Sequence, residues 1–183
     1  MTSADSFLVR PARRDDVPAI EELIERSVRE LSSPWYDPVQ IQSALRYLFG
    51  VDTQLVDDGT YFVVARGHVL TAAGGWSRRR TLFGGDRWKH EADDLLDPRR
   101  EPARIRAFFV HPEWSRRGLG RMLFETAVRD ALSAEFNRME LMATLPGEPL
   151  YRALGFTAEE RIELQLPDGV RVPLVRMSLQ IER

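Results

Sequence analysis

Two hydrophobic rhythms alternate along the chain. Residues 7–9 form a short apolar run closed by Pro11, which predicts a first strand. Behind the capping pair Asp15-Asp16, apolar residues fall at Val17, Ile20, Leu23, Ile24, Val28 and Leu31, the spacing of one helical face. Ser32-Ser33-Pro34 ends that helix. A second is predicted over 38–49, with Trp35 and Tyr36 in the connection. Runs at 61–65 and 69–76 flank Arg66-Gly67-His68 and predict a hairpin. Over 77–103 the pattern dissolves into Gly84-Gly85, Pro98, Pro102 and many charges, as in a long insertion or a loop crossing between strands. A β-rich run at 105–110 follows. A helix opens at Gly118 and buries Leu119, Met122, Leu123, Ala127, Val128, Ala131 and Leu132. Residues 139–143 predict a strand, 149–154 a short helix stopped by Gly155, and 156–166 and 170–180 two strands joined at Pro167-Asp168-Gly169.

This order reads β-α-α-β-β-β-α-β-α-β-β. The strand-helix-strand unit between 105 and 143 requires a parallel pair with a right-handed crossover. The hairpins require antiparallel neighbours. A mixed sheet with helices on both faces follows, an α/β (α+β) architecture.

A length of 183 residues suits a single domain over 1–183. No apolar run is long enough for a membrane span, and no secretory leader is visible, so a cytoplasmic protein is expected. The 26 basic residues are all arginine except Lys89, and a net charge of -2 leaves no global field for nucleic acid. Cysteine is absent and the 3 histidines are scattered, so no metal cluster is expected.

One stretch changes this picture. In Val110-His111-Pro112-Glu113-Trp114-Ser115-Arg116-Arg117-Gly118-Leu119-Gly120-Arg121 a strand ends, two arginines follow, and two glycines open a helix. The first turn of a helix presents unpaired N–H groups and the positive end of its dipole. Glycines let a bulky anion approach that backbone, and Arg116, Arg117 and Arg121 add charge at the rim. The stretch therefore suits phosphate or pyrophosphate. It is not a P-loop, since no Gly-Lys-Ser/Thr follows, and it lacks the third glycine of the dinucleotide fingerprint.

Ser115-Arg116-Arg117-Gly118-Leu119-Gly120 resembles the acetyl-CoA pyrophosphate motif Q/R-x-x-G-x-G/A of the GNAT superfamily of N-acetyltransferases. Leu150-Tyr151-Arg152-Ala153-Leu154-Gly155-Phe156 resembles a second segment of that family, and the two are separated by a helix and a strand as in the family. The resemblance implies a mostly antiparallel sheet of six to seven strands with a splayed central parallel pair. It implies that Phe108, Phe109 and Val110 offer backbone to the pantetheine arm of acetyl-CoA, and that the amides from Arg116 to Arg121 hold the pyrophosphate. An N–H near Val110 would polarise the thioester carbonyl, and Tyr151 would protonate the leaving thiolate. A primary amine, on a small molecule or a peptide, would be the acceptor. Family members often form homodimers. With no cysteine, no acyl-cysteine intermediate can form, so direct attack is expected.

The chain also departs from the family. Ser115 stands where Gln or Arg is usual, and Thr144 where many members have Asn. Several members carry a glutamate base on the strand before the glycines. This strand has Arg104 and Arg106, which simple alternation places on one face with Phe108 and Val110. Arginine cannot act as a base. Glu101, His111 and Glu113 are the nearby alternatives. The acceptor pocket is expected from the first two helices, their connection and the hairpin, with Trp35, Tyr36, Trp76 and Arg78 as candidates. The missing base keeps open a non-catalytic acyl-CoA-binding or sensing module of the same fold.

Overall fold

The computed structural model describes residues 6–90 and 93–182. The chain runs β1 (Leu8–Pro11), α1 (Val17–Leu31), α2 (Pro38–Tyr47), α3 (Thr53–Asp57), β2 (Tyr61–Arg66), β3 (Val69–Ser77), β4 (Ala103–Val110), α4 (Leu119–Ser133), β5 (Arg138–Thr144), α5 (Glu148–Ala153), β6 (Thr157–Gln165) and β7 (Arg171–Gln180). Among the described residues, the short α3 is an α-helix that the hydrophobic pattern misses. It carries a single helical turn, too short for a periodicity to show.

Local chemistry explains the helix starts. In the single 3-10 turn Arg14–Asp16 that leads into α1, the Asp16 carboxylate accepts from the Arg13 amide at 2.7 Å and from both arms of the Arg10 guanidinium at 2.7 and 2.8 Å. That guanidinium contact holds the Asp16 carboxyl below the usual carboxylate range. At α2, Asp37 accepts from the Gln40 amide at 2.8 Å while the Gln40 side chain accepts from the Asp37 amide at 3.0 Å. Helix α1 buries Ile20, Leu23, Ile24 and Val28, each burial contributing about 1.5–3 kcal/mol.

The strands form one sheet in the order β1-β2-β3-β4-β5-β7-β6. Every neighbouring pair is antiparallel except β4 and β5. One face packs on α4 through Leu119, Leu123, Ala127 and Ala131, against Ile105, Leu141 and Met177. The other packs on α1 and α2, against Tyr61, Val63, Ala73 and Leu174. The mixed sheet with helices on both faces is as the element order predicts.

The parallel pair is where the sheet opens. β4 and β5 are in register only at Ala103↔Met139 and Arg104↔Glu140. β5 stays paired with β7 from Arg138 to Thr144, and β4 stays paired with β3 out to Val110. Beyond Ile105 and Leu141 the two central strands therefore part, each held by its outer neighbour.

Simple alternation fails along β4. The pairing with β3 jumps from Gly75↔Arg106 to Ala73↔Phe109, so Gly74 faces two residues, and Ala107 takes φ 53°. This is a β-bulge. Arg104 and Arg106 precede it. After it, Phe108 and Val110 pack on the α4 side, and Ala107 and Phe109 on the α1 side. The expected common face for Arg104, Arg106, Phe108 and Val110 does not exist. A Cβ on Gly74 would overlap the Phe108 ring, so glycine makes the inversion possible.

The insertion is irregular, as its composition predicts, but it is anchored. Arg79 and Leu95 form an isolated bridge, and the Leu96 amide donates to the Arg78 carbonyl at 2.8 Å. The Arg79 guanidinium grips Asp58 at 2.7 and 2.8 Å.

Candidate active site

The loop between β4 and α4 is shaped by two left-handed residues, Arg116 at φ 63° and Gly118 at φ 80°. Gly118 is the N-cap of α4 and no side chain caps the helix. The first backbone bond into the helix is Met122 N–H to the Gly118 carbonyl, so the amides of Leu119, Gly120 and Arg121 have no helical partner. On fifteen aligned peptides these amides form a ready anion site. Arg117 lies over the Trp114 ring, 4.8 Å from its centroid, and Trp114 meets Phe7 edge-on at 5.8 Å. The stacking fixes the stem of Arg117 beside the helix terminus.

A cleft of about 210 Å³ runs through the opening between β4 and β5. On the α4 side its walls include Ile105, Phe108, Val110, Gly120, Leu150 and Tyr151. A Cβ on Gly120 would sit 2.8 Å from Leu150 Cδ2, so glycine keeps α4 and α5 close here. On the α1 side the walls include Val28, Leu31, Leu48, Phe49, Phe83 and Phe109. Tyr151 lies on α5, 6.1 Å from Phe108 and 5.6 Å from Phe156, ring to ring. Burial pushes its phenol well above the ordinary tyrosine range, so it stays protonated.

The family model for the acetyltransferase (GNAT) family matches residues 20–156, from α1 to the end of the Tyr151 segment. The chain belongs to the GNAT acetyltransferase family. No curated protein gives a significant match. Among solved structures, a GCN5-related N-acetyltransferase from Rhodopseudomonas palustris superimposes with a TM-score of 0.71 at 14% identity, covering 97% of each chain. The PaiA N-acetyltransferase of Thermoplasma acidophilum, solved with coenzyme A, gives 0.65 at 12% identity over 96% of this chain and 99% of that one. A ribosomal-protein alanine N-acetyltransferase from Escherichia coli gives 0.59 at 18%, over 97% and 96%. At these identities the likeness is one of fold.

Within this GNAT fold the predicted residues separate into three groups. Phe108, Phe109, Val110, Gly120 and Tyr151 line the cleft. Arg116, Arg117, Gly118 and Arg121 form the loop and first turn at its α4 end, while Leu119 is core. The four acceptor candidates do not converge. Trp76 is buried on the α4 face, where its Nε1 donates to Asp130 at 2.7 Å and its ring meets Phe136. Arg78 stacks over that ring, 5.9 Å from its centroid. Trp35 is half exposed. The Tyr36 hydroxyl accepts from the Leu145 amide at 2.9 Å and donates to the Pro173 carbonyl at 2.8 Å, and burial pushes its pKa up to about 12. It ties β5 to β7 and does not line the cleft.

The alternative bases also lie elsewhere. Arg26 Nη1 lies 2.8 Å from His111 Nε2, and His111 does not line the cleft. Glu113 is exposed beside Arg26, and Glu101 accepts from Arg80 and from the Asp97 amide. Thr144 lines the cleft, its hydroxyl oxygen accepting from the Gly147 amide at 3.2 Å.

Arg106, on the strand where the resemblance leads one to expect a base, does something else. Its side chain is 1% exposed. It donates to Asp52 at 2.8 Å, to the Thr81 carbonyl at 2.9 Å and to the Gly84 carbonyl. Asp52, fully buried, also accepts from Lys89 at 2.6 Å. Gly85 continues the seam, its amide donating to Leu48 at 3.0 Å, and a Cβ there would overlap the Gly50 carbonyl. The seam draws Leu82 to Gly85 over the α1 end of the cleft. Sequence reasoning missed Asp52 and this wall. The apolar run Leu82-Phe83 before two glycines, inside an otherwise polar insertion, was the available signal.

Proposed function

We propose that the protein transfers an acetyl group from acetyl-CoA to a primary amine by direct attack in a ternary complex. One observation carries this reading: the cleft through the sheet joins an uncapped helix terminus and a buried, protonated tyrosine on one side to a separate compartment on the other. The coenzyme A bound to the Thermoplasma protein and the alanine acetylated by the Escherichia coli enzyme support the same chemistry.

The residues divide the work. The amides of Leu119 to Arg121 suit the pyrophosphate, with Arg116, Arg117 and Arg121 as charged neighbours. The β5-facing edge of Phe108 to Val110 lacks a strand partner and suits the amide-bearing pantetheine arm, much as an added strand would. A backbone N–H at that edge can polarise the thioester carbonyl. Tyr151 supplies a proton to the departing sulfur.

Gly118→Ala tests the cradle. Open space surrounds the position, so the cost is the left-handed φ, about 1–2 kcal/mol. The expected result is a severalfold weaker acetyl-CoA affinity by titration, with a matching fall in the urea midpoint. Unchanged affinity would move the pyrophosphate away from this turn.

Direct attack is tested by kinetics and mass. Initial rates with varied acetyl-CoA and amine should give intersecting lines, because the chain has no cysteine to hold an acyl group. Parallel lines together with an acetylated protein after incubation with acetyl-CoA alone would overturn it. Tight CoA binding with no amine-dependent thiol release across a broad panel would instead favour the sensing module.

A further inference from the structure

The acceptor end of the cleft is defined by what surrounds it. Val28, Leu31, Leu48, Phe49, Phe83 and Phe109 supply apolar walls from α1, the end of α2, the insertion and β4. Ser27, Ser32 and Thr144 add neutral hydroxyls. No Asp or Glu stands among the described residues that line it, and Arg106 is the one charged group there. That group is positive, and its guanidinium is committed to Asp52 and two carbonyls.

A free alkylamine meets this compartment as an ammonium ion. Burying an ammonium without a counter-charge is costly, and the group sheds its proton instead. For an amine with the basicity of lysine, only about one molecule in 10³ to 10⁴ is neutral at pH 7. The site offers no carboxylate to hold the cation and no described base to strip it.

We propose that the acceptor is an amine already neutral at pH 7, an arylamine or similarly weakly basic nitrogen on an apolar body. This rests on the acetyl-transfer reading and adds the acceptor class to it. It also accounts for an arginine where a base would stand, because a neutral nitrogen needs no prior deprotonation. The nitrogen lone pair attacks the thioester carbon and the C–N bond forms. The C–S bond breaks and sulfur takes the Tyr151 proton. The new amide nitrogen loses one proton to solvent, and Tyr151 regains one from it. Amine and acetyl thioester thus become amide and thiol.

The test separates binding from turnover. On the full-length protein loaded with CoA, titrate benzyltrimethylammonium and its neutral carbon isostere neopentylbenzene, following ligand-observed NMR. The expected result is at least about tenfold tighter binding of the neutral compound. Equal or tighter binding of the cation, or binding of neither, overturns the proposal. In parallel, thiol release from acetyl-CoA is compared for 4-methylaniline and benzylamine at pH 7. Faster reaction of benzylamine overturns the acceptor class while leaving acetyl transfer standing. No thiol from either amine, or from a broad panel, overturns acetyl transfer itself. Leu31→Glu, at the partly exposed end of α1, supplies the missing counter-charge and should reverse the preference measured by NMR. Circular dichroism confirms that this variant is folded.

Discussion

Tyr151→Phe is expected to lower kcat by about 10²-fold or more, with little change in acetyl-CoA affinity. The substitution keeps the ring that packs against Phe108 and Phe156 and removes only the hydroxyl. Burial holds that hydroxyl protonated, so the proton is present throughout the neutral range. A thiolate released into this apolar part of the cleft is costly unless it is protonated as the C–S bond breaks. A lost proton donor therefore acts on the chemical step and not on binding. Steady-state kcat and direct titration with CoA separate the two. If Tyr151 only packs, the phenylalanine variant will turn over normally while Tyr151→Ala loses stability and activity together. Unchanged kcat in the phenylalanine variant would end the acid assignment.

The second large effect falls on stability. Arg106→Met should destabilise the fold by about 3–5 kcal/mol, the usual consequence of breaking a buried ion pair from one side. The change leaves the buried Asp52 carboxylate to Lys89 and the Gln54 amide, and the Thr81 and Gly84 carbonyls without their donor. Against the typical 5–15 kcal/mol of a domain this is a large share. The insertion should also become a protease target at lower concentrations, since Arg106 holds Thr81 and Gly84. Pairing the change with Asp52→Asn should recover part of the loss, because the uncompensated carboxylate is then gone. Urea unfolding of the single and double variants measures the stabilities, and limited proteolysis measures the opening of the insertion. A loss under about 1 kcal/mol in Arg106→Met would show that the seam is not structural.

These two residues mark what the sequence can and cannot disclose. Tyr151 was legible because its neighbours form a contiguous motif, and the glycine turn was legible for the same reason. The strands and long helices were legible because each carries its own period. Arg106 was visible only as a missing base, since its partner Asp52 lies 54 positions away. Trp35 and Tyr36 are adjacent, yet one is half exposed and the other buried with both sides of its hydroxyl engaged. Composition cannot tell them apart. Trp76 sits on a strand buried on both faces, where alternation gives no sign of which side is the cleft.

The bulge in β4 carries one more consequence. A strand is read in steps of two, and the extra residue at Ala107 shifts the frame for everything downstream. Upstream of it, the strand sends Arg106 toward the insertion. Downstream, it sends Phe108 toward Tyr151 and Phe109 toward the opposite compartment. A regular strand built from the same residues would keep every side chain that the site uses, yet deal Phe108 and Phe109 to the wrong sides of the sheet. The distinction between the two chambers of this protein is thus written in parity, and one bulge sets it.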